Sequence, residues 1–420
     1  MIFRVPNPGN VTLSYKLNTE GLETVKFGKE IKEKEFLLDP DICFLNHGSY
    51  GTVPRRIADL QVKYNLEREK HPDFWFRLNC KQYVDQSRQT VADFIGADVE
   101  NVMLVCNSTT ALNTTLKSFP FKSGDAVLDT TLTYGAIYRL CKDFTSRIRP
   151  DVERVNLEIE FPIASEDDII EKYEEIFKKH PNIKVAIIDH ITSPTSIVMP
   201  VKRLVELCHN KGIVVFIDGA HCIGHLPLDM QDLGADIYTC NLHKWTYAPR
   251  GAAVLWFDSK HAGWINPPNT SWRIGETLDC QFFDQGTRDH VPNICSRHGL
   301  EFYEAIGGMT KIIQYTSSLA DQVKDLFIKE LGFEPLSIPQ ALEAPNMRLV
   351  KLPPFSKFPC TEEGSVALQK AIFGGTNVFG VLVLVKTDIY LRFSVQVYND
   401  IDDFKEFIKI YRDFLHKLSD

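Results

Sequence analysis

No stretch of this sequence is apolar for long enough to cross a bilayer, and no block of lysine and arginine accumulates along it. The first absence argues against a membrane-spanning chain. The second, with a net charge of −8, argues against nucleic acid or an anionic membrane as partner. The N-terminus, MIFRVPNPGNVTLSY, lacks the apolar core of a secretory signal and the Arg/Ser-rich pattern of a transit peptide. None of the ten cysteines is spaced as CxxC, and many lie inside apolar runs such as Val102 to Cys106 and Ile237 to Cys240. Reduced thiols in a cytoplasmic protein are expected, not a disulfide framework. At 420 residues the chain exceeds one ordinary core, which predicts two domains of unequal size.

What is present is organised around Val214 to Trp256, VVFIDGAHCIGHLPLDMQDLGADIYTCNLHKWTYAPRGAAVLW. A β-branched run ends on Asp218, as a buried parallel strand would. A second short strand, Ala235 to Cys240, leads to His243 and Lys244, and a third run covers Ala252 to Trp256. A carboxylate at one strand end and a lysine beyond the next is the pairing that pyridoxal 5'-phosphate chemistry requires. The lysine must lose its proton to bond to the cofactor aldehyde. The carboxylate keeps the pyridine nitrogen protonated, so that the ring accepts electrons. Lys244 lies between His243 and Trp245 and between two apolar strands, where desolvation lowers its proton affinity. His221 and His225 have the i, i+4 spacing of a metal pair, but the glycines of the segment disfavour a continuous helix and no third ligand is near, so no metal is expected.

Strands alternate with helices from Asn101 to Trp256, which predicts a doubly wound α/β domain with a mostly parallel sheet. Ser108 and Thr109 open a helix after the strand Asn101 to Cys106. There they serve either as N-caps or as donors to a phosphate at the helix dipole. Tyr134 follows the strand Ala126 to Thr130. The polar residues Thr192 and Ser193 follow the strand Lys184 to Asp189, beyond whose carboxyl end a ligand is expected. Gly48 and Gly51 bracket a turn, and Pro54 starts a helix running to about Lys70. From about residue 292 the pattern changes to one long helical stretch, Asn293 to Glu330, then strands and helices of a smaller α+β domain. The expected division is an N-terminal arm (1–45), a large cofactor-binding domain (46–290) and a small domain (291–420). Arg392 sits within a strand pattern and needs a partner, either an acidic side chain or a substrate carboxylate.

The motifs FLNHGSYGTVP, DHITSPTSIVMP, DGAH…NLHKW, GTRD and RFSVQVYN, in this order from about residue 43 to 400, resemble the class V aminotransferase family of fold type I pyridoxal-phosphate enzymes. The similarity is greatest to its isopenicillin N epimerase-like branch, which is related to cysteine desulfurases and hercynylcysteine sulfoxide lyases. The resemblance implies a large domain around a seven-stranded-type sheet. It places Ser108, Thr109, His243 and Asn241 at the cofactor phosphate, although Asn241 stands where a serine is more usual. It also implies Tyr134 over the pyridine ring and His221 at the cofactor O3′, while Thr192 and Ser193, by their place beyond a strand end, are candidates to touch O3′ or the substrate. Arg392 would bind the substrate carboxylate beside the turn of Asn46, Gly48 and Ser49. Thr287 of GTRD would reach the phosphate of a neighbouring subunit, which implies a homodimer with shared sites.

Such enzymes diverge after a bond to Cα breaks, into β-lyases, epimerases and aminotransferases. Persulfide-forming desulfurases carry a cysteine shortly before the substrate arginine. Phe373 to Leu391 contains none, and Cys360 is far from Arg392 in the chain. The expected activity is a C–S β-lyase acting on a cysteine-type conjugate. Epimerisation or transamination is the alternative, and a scaffold without catalysis is disfavoured because Lys244, Asp218 and Arg392 are all present.

Overall fold

The computed structural model of this chain describes residues 15–419, so the first fourteen residues of the expected arm, including most of the segment read for targeting signals, lie outside it. Its centre is a seven-stranded sheet of β1 (Val102–Val105), β2 (Ala126–Thr130), β3 (Glu153–Leu157), β4 (Ile183–Asp189), β5 (Val214–Asp218), β6 (Ile237–Asn241) and β7 (Ala253–Phe257). The spatial order is β1-β7-β6-β5-β4-β2-β3. The pairs between β3, β2, β4, β5 and β6 are parallel, whereas β7 runs against both of its neighbours. Strands such as VMLV of β1 and AVLWF of β7 are buried along their whole length, because helices cover both faces. The mostly parallel α/β architecture expected from the sequence is the one observed.

Ile188, Ile217, Tyr238 and Val254 face one core, and Ile187, Phe216, Ile237 and Leu255 face the other. These two layers hold the sheet rigid, so the carboxyl ends of its strands form a fixed platform. Residues of the N-terminal region, Leu17, Leu22 and Ile31, pack into the first of these cores with Tyr64.

The expected single helix from Asn293 is two helices, Val291–Ala305 and Gly308–Leu331. They are separated at Gly307, whose φ of 121° is open to glycine alone. Beyond them β8 (Met347–Lys351), β9 (Val381–Val385) and β10 (Asp388–Ser394) form an antiparallel sheet with β10 in the middle. Helices Glu362–Phe373 and Ile401–Ser419 pack on it through Leu368, Phe404 and Phe407, which share a core with Phe327, Leu391 and Phe393. Cys43–Phe44 pairs in parallel with Val378–Phe379 as a separate two-stranded sheet, which ties the approach to the Asn46 turn to the segment just before β9.

Candidate active site

At the carboxyl ends of the parallel strands lies a cavity of about 180 Å³ bordered by Asp218, His221, Lys244, Ser108, Tyr134 and Ser193, among others. Lys244 is on the short helix Leu242–Trp245, which begins as β6 ends. Its Nζ lies 3.0 Å from Nε2 of His221. Burial pushes the lysine down to about 7, with Arg392 adding to the effect and Asp218 opposing it. Burial, then the charges of Lys244 and Arg392, hold His221 well below the usual histidine range. A neutral His221 can accept a hydrogen bond from Lys244 through Nε2 only with its proton on Nδ1, and Nδ1 has no partner within the described residues.

Asp218 closes β5, where its Oδ1 accepts the backbone N–H of Ala220 at 3.0 Å. Asp189 closes β4 in direct register with it. Both carboxyls are buried and both border the cavity. Burial raises Asp189 far above the carboxylate range and the charge of Asp218 raises it further; burial raises Asp218 too, opposed by Ala220 N–H and Lys244. Of the two, Asp189 is pushed up further, by burial and by the charge of its neighbour. Asp189 was not singled out in the sequence. The signal was an aspartate ending the strand that pairs with the strand of Asp218.

At the other wall, helix Ser108–Ser118 is capped by Asn107, whose side chain accepts the N–H of Thr110 at 2.7 Å. The capping alternative for Ser108 and Thr109 is thus removed by their neighbour. Both residues border the cavity, and Ser108 Oγ is buried without a partner. Asn241 Oδ1 accepts the N–H of Ser108 at 3.0 Å, so this side chain anchors the helix start with its oxygen and leaves its amide hydrogens. His243 borders the same space, pushed down to about 4 by burial and by Lys244, and its Nδ1 is unpartnered. Buried polar atoms are rarely left unmatched. Three of them (on Ser108, His221 and His243) around one cavity, with a helix N-terminus and a desolvated amine, fit a ligand carrying a phosphate, an anionic ring oxygen and an aldehyde. Tyr134 stands at the rim, 44% exposed, with its backbone N–H on Asp189 Oδ1 at 3.4 Å.

Arg392 on β10, in the smaller sheet, stands behind two residues that border the cavity, Ser193 and Ser49. It donates to the carbonyl and hydroxyl of Ser193 at 2.5 and 3.2 Å, to Ser49 Oγ at 2.8 Å and to Asn46 Oδ1 at 3.2 Å. No acidic side chain among the described residues pairs with it, although it is buried. Neutral partners alone leave a buried guanidinium short of counter-charge, and burial lowers it to about 10. A carboxylate fits this position. Ser193 and Ser49 border the cavity; Asn46 supports Arg392 from behind. Gly48 does not border it, and a methyl group there would press on Met347 Sδ at 2.8 Å, so this glycine is a packing residue. Thr192 is turned away as well, bonded to Thr195 Oγ1 at 2.6 Å and to the N–H of Ile197 at 2.8 Å.

Thr287 lies on an exposed turn and does not border the cavity of its own chain. His225 spends both ring nitrogens inside the protein, on the His221 carbonyl at 3.0 Å and the Asn346 N–H at 2.8 Å. Among the described residues no group of three or more His, Cys, Asp or Glu side chains could hold a metal ion, and no helix is long and apolar enough to cross a membrane. All ten cysteines are free. The strap before β9 is tied down by the N–H groups of Cys43 and Leu45, which donate to the carbonyls of Asn377 and Phe379 at 2.8 and 3.0 Å. Cys43 beside it is buried, and that burial pushes its thiol up to about 12.

A family model described as aminotransferase class-V matches residues 72–407. The hercynylcysteine sulfoxide lyase of Schizosaccharomyces pombe is 29% identical over 400 residues, which covers 92% of this chain and 98% of that protein. A probable chloroplastic L-cysteine desulfhydrase of Arabidopsis thaliana is 32% identical over 332 residues, covering 75% of this chain and 69% of its own length. Among solved structures, the apo cysteine desulfurase of Thermococcus onnurineus NA1 superposes with a TM-score of 0.76 at 18% identity, over 93% of this chain and 99% of that one. At that identity the likeness speaks for the fold.

Proposed function

Because this chain belongs to the class V aminotransferase family, we propose that it is a pyridoxal-phosphate-dependent C–S β-lyase that acts on a cysteine-type conjugate and releases pyruvate and ammonia. The observation that carries the reading is a buried lysine, pushed down to about 7, in a cavity whose lining residues Ser49 and Ser193 are held by a buried arginine that lacks an acidic partner. Bound pyridoxal phosphate supplies an aldehyde for Lys244 and a ring that accepts the charge developing at the substrate Cα.

The chain's own residues do the rest. Asp218 offers its charge to the ring nitrogen, Tyr134 its face to the ring, and His221 the Nδ1 proton to the ring oxygen. Ser108, Thr109, His243 and Asn241 with the helix N-terminus hold the phosphate. Arg392, with Ser49 and Ser193, takes the substrate carboxylate as a fork. That grip leaves the Cα hydrogen to Lys244, whose neutral amine removes it. The Cβ–S bond then breaks with its electron pair on sulfur, and the three-carbon remnant takes up water to give pyruvate and ammonia. In this reading residues 46–290 bind the cofactor and residues 291–420 carry Arg392 to it.

Two finer features belong to the proposal. Thr287 is exposed in its own chain and would complete the phosphate site of a partner in a homodimer, so Thr287→Ala lowers cofactor retention; unchanged retention sinks the shared site. Ten unpaired thiols suit the cytoplasm. The central test is pyruvate release by cofactor-loaded protein given L-cysteine, L-cystine and S-ethyl-L-cysteine S-oxide, which Lys244→Ala should abolish. No pyruvate, with Cα–hydrogen exchange in heavy water intact, makes the chain an epimerase or aminotransferase.

A further inference from the structure

The segment RFSVQVYN carries more than its arginine. Phe393, Val395 and Val397 point into the hydrophobic cores, while the alternate side chains Arg392, Ser394, Gln396 and Tyr398 are polar and all nearly inaccessible. Each of the four grips a segment of the active site. Arg392 holds Ser49 and Asn46. Ser394 Oγ accepts the N–H of Gly48 at 3.1 Å. Gln396 Oε1 accepts the hydroxyl of Tyr247 at 2.9 Å. Tyr398 pairs its hydroxyl with His47 Nδ1 at 2.9 Å.

Two of these contacts reach the surroundings of Lys244. Tyr247 lies three residues beyond it, fully buried, with a φ of 58°. A non-glycine residue keeps that left-handed conformation only when its surroundings impose it, and the hydrogen bond to Gln396 is one such constraint. The imidazole of His47 packs on Trp245, the residue after Lys244, with ring centroids 5.4 Å apart. There is little slack elsewhere: a methyl group on Gly224 would meet the carbonyl oxygen of Trp245 at 2.9 Å, and one on Gly299 would collide with that of Thr246.

We propose that Gln396 and Tyr398, acting through Tyr247 and His47, are positioning residues that fix the Lys244 amine relative to the Arg392 guanidinium, and so set the site for an α-amino acid, whose amine and carboxylate are one carbon apart. This rests on the reading that Lys244 carries the cofactor and Arg392 the carboxylate. One continuous segment, the end of β10 and the four residues that follow it, delivers both reference points: the arginine directly, the lysine through two hydrogen bonds. A substrate held at its carboxylate then presents its Cα hydrogen at a set distance from the amine, and small misplacements of reacting groups cost rate steeply.

The test uses cofactor-loaded full-length protein and the isosteric variants Tyr247→Phe and Tyr398→Phe, each lacking one oxygen, with Gln396→Met as a third. Loss of the Cα hydrogen of S-ethyl-L-cysteine S-oxide in heavy water is followed by NMR, alongside cofactor content and the mass of the borohydride-reduced protein. Cofactor content should stay full, kcat for Cα–hydrogen loss should fall on the order of tenfold, and KM should change less than twofold, because Arg392 still binds. The double variant Tyr247→Phe/Gln396→Met should be no slower than Gln396→Met alone, since that change already removes the Tyr247 bond together with the one from the Val397 N–H at 2.7 Å. An unchanged kcat, a loss that only tracks cofactor content, or a loss confined to KM overturns the proposal. Failure of the underlying reading shows separately, as cofactor mass on a residue other than Lys244 in the unaltered chain.

Discussion

The amine of Lys244 and the imidazole of His221 stand 3.0 Å apart in a buried cavity, and both are shifted toward their neutral forms. Two bases that share one hydrogen bond without a net charge make a site whose reactivity turns on at the lysine's own titration. Below about pH 7 Lys244 holds a proton and cannot add to an aldehyde; above it the amine is free. The rate of cofactor uptake should therefore fall about tenfold per pH unit below the lysine's titration and level off above it. Stopped-flow absorbance after mixing with pyridoxal phosphate measures this, and a flat profile from acid to mildly alkaline pH contradicts it.

Removing the guanidinium should separate substrate binding from cofactor binding. Arg392→Gln is expected to lower kcat/KM by about 3 kcal/mol, on the order of a hundredfold, with cofactor content unchanged. Arg392→Lys should recover only part, because an ammonium cannot form two parallel bonds to a carboxylate. Substrate esters provide the control. They should react poorly with the native chain and lose little further in the variants.

Gly51 has a φ of +64°, and a methyl group there would collide with the carbonyl of His243, next to Lys244. Gly51→Ala combines a backbone cost of about 1–2 kcal/mol with that collision. The expected result is a folded protein with weakened cofactor retention, read from visible absorbance after dialysis. Retention equal to that of the native chain would show that the turn shifts freely.

Asp236 sits at the amino end of the sheet, far along the strands from the chemistry. It binds His261, His209 and Lys260 at 2.8, 2.8 and 2.7 Å, and the N–H of Val215 at 2.8 Å. Burial opposes its charge, but these partners outweigh burial and hold the carboxyl well below its ordinary value. A depressed carboxyl stabilises the fold above its unfolded pKa, about 3.9, and that contribution is lost as pH falls toward its folded value. Asp236→Asn should cost about 3 kcal/mol at pH 7 and progressively less below about pH 4. Denaturant midpoints at pH 7 and pH 3.5 check it, and equal losses at both values refute it.

What could be read without coordinates was chemistry carried by residue type at a strand end. Lys244, Asp218 and Arg392 are unusual where they stand, and the alternation of strands and helices predicts the sheet that holds them. Neighbour relations were not legible. Asn107 takes the cap that Ser108 and Thr109 might have filled, and Thr192 turns inward, both decided by local hydrogen bonds, while Ser193 is held by Arg392 from a distant part of the chain. Asp189 escaped notice because its importance comes from its register with Asp218, and register is a property of pairing between strands. Polar alternation through Arg392, Ser394, Gln396 and Tyr398 was visible as a pattern, but a half-exposed strand shows the same pattern. The break at Gly307 was masked by good helix formers on both sides.

The strap at residues 376–380, bound to Cys43 and Leu45 through the main chain and without a thiol of its own, bears on where sulfur goes after the C–S bond is cut. A protein that parks sulfur on itself must be emptied by a courier before its next turnover, and its output is addressed to that courier. Without such a parking place, a lyase of this build discharges sulfur as a small molecule to whatever acceptor diffuses in. Its pace is then governed by substrate supply, and the fate of the sulfur is decided downstream by chemistry in solution.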